Sequence, residues 1–112
     1  MMKNIDAAIN KASYTLAENA GIEKKNEIEK AMGVLANDGV YAFVIFCKSN
    51  KIWNDFSDSI KELNTLFPEK LQNFDDSKLK SDNYSLSDLL FVKEILEKML
   101  TYTRYHLKAK GD

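Results

Sequence analysis

Residues 35–49, LANDGVYAFVIFCKS, decide the fold, because a polar break, Asn37-Asp38-Gly39, precedes eight apolar residues from Val40 to Cys47. Valine, isoleucine and aromatic residues favour a strand, and periodicity alone cannot assign so short an apolar run. A strand needs a partner, however, and no other segment alternates polar and apolar residues with a period of two. We therefore predict a helix over residues 39–50, with Asp38 as its N-cap and a central, buried position, because it is apolar nearly all round.

Helical spacing of apolar residues recurs on both sides of this run. It predicts four further helices, at about residues 5–20, 23–36, 54–67 and 86–108. Gly21 is a natural stop for the first of them. Pro68 interrupts the helix before it or starts a short turn of helix through Phe74, and the polar residues 75–83 form a loop. Ser85-x-x-Asp88 has the spacing of a capping box at the start of the last helix.

Length and composition describe an ordinary globular chain. The sequence has 112 residues, of which 45% are hydrophobic and 29% charged, so we expect one domain over residues 1–112. With the helical pattern, this predicts an all-α, single-domain helical bundle of five to six helices with a long C-terminal helix. The first ten residues lack the apolar core of a signal peptide, and the longest apolar run is too short to span a bilayer. We therefore expect a cytoplasmic protein with no membrane contact.

No constellation in the sequence predicts catalysis, a metal site or a cofactor. Cys47, the single cysteine, lies inside the apolar run, and we interpret it as a small core residue with an inert thiol. His106, the single histidine, has no supporting acid beside it, and the Asp75-Asp76 pair lies on a polar loop where solvation explains it. The four glycines are scattered, which excludes a phosphate-binding loop. We expect a protein that is not an enzyme.

Charge is distributed unevenly along the chain, although the formal net charge is only −1. Residues 98–111 contain no acid and four cations, interleaved with two tyrosines and a histidine. Residues 39–54 also lack acids, whereas residues 54–97 carry an acidic excess. One interpretation of these residues is structural. Cations near the end of a helix complement its dipole, and the tyrosines belong to the core.

The alternative interpretation of these cations is a surface that holds a phosphate backbone, on which aromatic side chains pack or stack. It makes four residues our candidates for contact with a nucleic-acid backbone: Lys48, Lys51, Arg104 and Lys108. Arg104 and Lys108 share a helix face one turn apart, while Lys48 and Lys51 follow the apolar run. Composition leaves the two interpretations open.

Two segments together resemble the small subunit of type III-B CRISPR effector complexes, the Cmr small-subunit family. That family has a helix that ends in a polar-glycine turn and is followed by an apolar helix, as in Leu35-Ala-Asn-Asp-Gly39 and the residues after it. It also has a long final helix, which here opens at Tyr84-Ser85, passes Lys93-Glu94 and closes at Arg104-Tyr105. The family usually has Asn-Gly-Leu at the turn, whereas Asp38 intervenes here. The resemblance covers about three-quarters of the chain.

The resemblance implies an all-helical, non-catalytic subunit of a ribonucleoprotein complex. Copies of such a subunit stack head to tail beside the other subunits of the CRISPR effector complex, along the crRNA/target RNA backbone, and neighbouring subunits cleave the RNA. Two alternatives stay open. One is the small subunit of a type III-A or type I CRISPR complex, and the other is a helical protein-interaction module without nucleic-acid binding.

Overall fold

The computed structural model describes residues 5–66 and 84–111. Five α-helices lie in these ranges: α1 (Ile5–Ala20), α2 (Lys25–Asp38), α3 (Val40–Ser49), α4 (Trp53–Leu63) and α5 (Leu86–Gly111). Short 3-10 helices precede α2 and follow α4, at Ile22–Lys24 and Asn64–Leu66. The described ranges contain no strand, so the prediction of an all-α bundle with a long C-terminal helix is confirmed. The expected turn of helix over residues 68–74 and the loop over residues 75–83 lie outside the described residues.

The described helices share one hydrophobic core, in which α5 packs along both α1 and α2, and α4 packs against α1. Helices α2 and α5 are antiparallel, because the Nζ atom of Lys93 donates to the carbonyl of Ala36 near the end of α2, while Lys25 at the start of α2 lies beside Lys108. Lys24, just before α2, reaches Asp55 near the start of α4. The ends of α1, α3 and α5 therefore meet the starts of α2 and α4 at one end of the bundle.

Gly39 alone separates α2 from α3. Its φ of 93° lies in the left-handed region, which glycine adopts without a steric cost. Its N–H donates to the carbonyl of Leu35, and its own carbonyl accepts from the N–H of Phe43. The prediction of Asp38 as the N-cap of α3 is therefore wrong. Asp38 is the last residue of α2, and Gly39 occupies the N-cap position of α3 without a side-chain hydrogen bond.

The apolar run is a helix, as predicted, but it is not buried on all sides. Val40, Phe43, Val44 and Cys47 are buried, and they form the side of α3 that faces the core. Tyr41 and Ile45, one turn apart on another side, are 45% and 64% exposed. The reason is that α3 packs chiefly against α2 and touches α4 and α5 only slightly, so it lies at the flank of the bundle.

The capping box at the start of α5 is present as predicted. The N–H of Asp88 donates to the Ser85 Oγ at 3.1 Å, and the N–H of Ser85 donates to the Asp88 Oδ2 at 3.1 Å. Each side chain thus satisfies a backbone donor that the first turn of a helix leaves without a partner. By contrast, α4 begins at Trp53 without a side-chain cap.

Candidate nucleic-acid contact surface

Arg104 and Lys108 are exposed on one face of α5, one helical turn apart. Because α2 runs antiparallel beside them, its first residues complete the surrounding surface. Lys25 and Glu29 of α2, together with Arg104, Tyr105 and Lys108, line an open depression of about 230 Å³. We call these five residues the α2–α5 cluster. Three cations and one carboxylate give it a positive balance, which suits an anionic ligand.

The two tyrosines near the end of α5 have different environments. Tyr102 is half-buried and packs against the hydrophobic core. Tyr105 is 60% exposed, and the Cζ atom of Arg104 lies 5.9 Å from the centroid of its ring. The interpretation of these tyrosines as core residues is therefore right for Tyr102 and wrong for Tyr105, which belongs to the surface of the α2–α5 cluster.

Two other cations at this end of the bundle are paired with acids. Lys110 forms a salt bridge with Glu18 of α1, and the hydrogen bond from Lys110 holds the pKa of that carboxyl below its ordinary value. The Nζ atom of Lys24 lies 2.8 Å from the Oδ2 atom of Asp55. Within the described ranges, no salt bridge involves Arg104, Lys108 or Lys51. Their charges are thus available to a ligand, whereas the charge of Lys110 is largely offset.

Lys48 and Lys51 lie in a second depression, at the turn between α3 and α4. Together with Trp53 and Asn54 they line an open space of about 460 Å³, and we call these four residues the turn cluster. The turn is fixed by two backbone hydrogen bonds: Lys51 N–H donates to the Lys48 carbonyl, and Ile52 N–H donates to the Cys47 carbonyl. This pair of bonds is the Schellman arrangement that ends many helices.

The structure pairs the four predicted cations but does not bring them into one depression. Arg104 lies with Lys108, and Lys48 lies with Lys51, at separate depressions. Both depressions are at the same end of the bundle. Lys24 lies between them. It forms a salt bridge with Asp55, the residue that follows Asn54 of the turn cluster. The next residue after Lys24 is Lys25 of the α2–α5 cluster.

Sequence reasoning did not identify Lys25 or Trp53. Nothing local marks Lys25, because it joins Arg104 only through the antiparallel packing of α2 and α5. Trp53 does carry a local signal. It is the single tryptophan of the chain, and it lies two residues after Lys51 and one before Asn54. Aromatic side chains beside cations are typical of surfaces that bind single-stranded nucleic acids.

His106 has a structural role between α1 and α5. Its Nε2 atom lies 2.9 Å from the Asn10 Oδ1, and its ring meets the Tyr14 ring edge-on, with centroids 5.8 Å apart. Among the described residues, no group of three or more histidine, cysteine, aspartate or glutamate side chains has the geometry to hold a metal ion. None of the described helices combines the length and the apolar character that crossing a bilayer requires.

Cys47 is a core residue, as predicted, and its thiol is fully buried. Burial raises its pKa from the ordinary value of 9.0 to about 12, so the thiolate, which is the nucleophilic form, is not populated near neutral pH. We expect iodoacetamide to leave the folded protein unmodified at pH 8 and to modify the urea-unfolded chain rapidly. Mass spectrometry measures both rates, and rapid modification of the folded chain would contradict the burial.

The same pKa shift makes stability depend on pH. Below pH 9 the thiol is neutral in both the folded and the unfolded chain, so its contribution to the free energy of unfolding is fully present. Between pH 9 and about 12 only the unfolded chain releases the proton, so the free energy of unfolding falls with rising pH by up to about 1.4 kcal/mol per pH unit. The Cys47→Ala variant lacks this part of the dependence, and urea titrations of the two proteins at several pH values isolate it.

No family model matches this chain, and neither the curated proteins nor the solved structures include one that is significantly similar to it.

Proposed function

We propose that this chain is a non-catalytic small subunit of a type III-B CRISPR (Cmr) ribonucleoprotein effector complex, and that it contacts the backbone of the crRNA/target RNA in cytoplasmic antiviral defence. The observation that carries the proposal is the α2–α5 cluster. It places Arg104, Lys108 and Lys25 around one open depression, on a helical bundle whose sequence motifs resemble that family.

The chemistry of the cluster fits a phosphate backbone. A guanidinium group offers several donors in a planar fork that matches two phosphate oxygens, and the ammonium groups of lysines add charge. Each cation that neutralises a phosphate releases counterions, so binding weakens as salt increases. Depressions this open do not exclude water from a ligand, which suits backbone contact better than bond cleavage.

Exposed apolar side chains support a place in an assembly. Besides Tyr41 and Ile45 on α3, the start of α5 exposes Leu86 and Leu90, which are 73% and 55% accessible and one turn apart. Such side chains supply contact area for a partner subunit. The acidic excess of residues 54–97 complements the basic end of α5, so copies of the chain suit head-to-tail stacking, in which the basic region of one copy meets the acidic region of the next.

Co-expression with the other subunits of a type III-B complex and a crRNA tests the proposal. We expect the chain to co-purify with the complex in several copies and in a salt-sensitive manner, and we expect its omission to lower the affinity for target RNA without abolishing RNA cleavage by the other subunits. Failure to co-purify with both crRNA and the other subunits present would refute the proposal. Native mass spectrometry counts the copies.

A further inference from the structure

The turn cluster has features that a surface for duplex backbone contact does not require. It combines Trp53, two lysines and the amide of Asn54 around one depression of about 460 Å³. Phosphate contact alone requires only cations. The additional aromatic ring and amide are the groups that recognise a nucleobase.

Trp53 is placed to offer a ring to a ligand. It is half-buried and packs against the core, so the ring is held in position while part of it stays accessible. The Nζ atom of Lys48 lies 5.8 Å from the centroid of the ring, which shows that a group can approach its face. This face is therefore where a nucleobase would stack.

Lys51 has a backbone conformation that a lysine rarely adopts. Its φ is 61°, and no other non-glycine residue of the described ranges has a positive φ. It occupies the position of the Schellman turn where glycine is favoured, and a side chain there costs about 1 kcal/mol relative to glycine. Strained residues concentrate at functional sites, so a lysine at this position points to a role for its charge.

Two further observations agree with an anionic ligand. No side chain caps the start of α4 at Trp53. The first backbone N–H groups of this helix therefore point toward the turn without a side-chain acceptor. The acid nearest in sequence is Asp55, whose carboxylate already binds Lys24. Among residues 5–66 and 84–111, those that line the turn cluster include no acid.

We propose that the turn cluster binds one unpaired nucleotide of a single-stranded RNA. The base stacks on Trp53, its edge bonds to the Asn54 amide, and Lys48 and Lys51 hold the flanking phosphates. A base inside a duplex is already stacked on both faces, so an unpaired base fits this site better. The inference rests on the proposed RNA-binding function and assigns this part of the surface to single strands.

The fluorescence of Trp53 tests the inference directly, because no other tryptophan contributes to the signal. The full-length chain is titrated at low ionic strength with oligouridylate, and in parallel with an abasic oligoribonucleotide of the same length and charge. We expect saturable quenching by oligouridylate and about tenfold weaker binding of the abasic strand, which cannot stack. A blunt RNA duplex should leave the fluorescence unchanged.

Two variants separate stacking from charge. Trp53→Leu should bind oligouridylate and the abasic strand with equal affinity in a fluorescence-anisotropy assay with labelled RNA, whereas Trp53→Phe should retain part of the preference. Lys51→Gly removes the cation and the strained φ together, so it should weaken binding while the urea midpoint of unfolding stays the same or rises. Lys61→Ala, an exposed lysine of α4 outside the cluster, is the control for loss of one charge.

Equal binding of the two strands by the natural chain, or the absence of binding at low ionic strength, would overturn the inference. So would unchanged binding by both Trp53→Leu and Lys51→Gly. Neither result bears on co-purification with the complex, on which the proposed function depends. The two proposals can therefore fail separately.

Discussion

The double variant Arg104→Glu/Lys108→Glu is expected to bind target RNA about 100-fold more weakly than the natural protein when each is assembled in the complex. Both side chains are exposed, lie at one depression and form no salt bridge within the described part of the chain. Loss of two charged hydrogen bonds to phosphate, at about 1.5 kcal/mol each, gives this factor. The slope of log affinity against log salt concentration should flatten by about two units.

A matched control separates this local effect from net charge. Lys11→Glu/Lys30→Glu changes the total charge by the same amount at exposed positions outside both clusters. We expect it to change RNA affinity much less. Circular dichroism should show both variants folded, with the Arg104/Lys108 variant slightly less stable because acids near the end of α5 oppose its dipole. If both variants assemble and lose the same affinity, the α2–α5 cluster has no specific role.

Replacement of Phe43 by alanine is expected to lower the free energy of unfolding by about 3–5 kcal/mol. The ring of Phe43 is fully buried on the core side of α3 and meets the ring of Phe56 edge-on, with centroids 5.3 Å apart and planes at 87°. Truncation removes apolar burial, leaves a cavity and ends this contact between α3 and α4. Since domains are stable by only about 5–15 kcal/mol, the variant should unfold at much lower urea concentration.

Ile45→Ala provides the comparison on the same helix. Ile45 lies two residues from Phe43 but is 64% exposed, so its truncation should cost about 0.5 kcal/mol or less. Urea titration followed by circular dichroism measures both variants. Similar losses at the two positions would show that α3 does not present Phe43 to the core.

The sequence predicted best the features that depend on near neighbours. The capping box at Ser85 and Asp88 and the helical state of the apolar run follow from local spacing and from the lack of a partner strand. The exposure of Ile45 does not, because it depends on α3 lying at the flank of the bundle. The prediction of Asp38 as an N-cap fails because the left-handed Gly39 both ends α2 and begins α3 without a side-chain cap.

Only the part of the candidate site that depends on residues close in the sequence could be predicted. The pairing of Arg104 with Lys108 is a property of one helix. Lys25 joins them, and Glu18 offsets Lys110, only through contacts between helices that are distant in the sequence. Trp53 was within reach of sequence reasoning, since it adjoins two predicted cations, but a search for charge alone passes over it.

Because a single residue separates α2 from α3, the rotation of α3 about its own axis is fixed relative to α2. Insertion or deletion of one residue in the first turn of α3 turns the rest of that helix by about 100° and shifts it by about 1.5 Å. The buried side of α3 and the lysines at its end would then point in new directions together. A length change at this junction therefore alters the packing of α3 and the direction of these lysines together, so the junction should accept substitutions more readily than insertions or deletions.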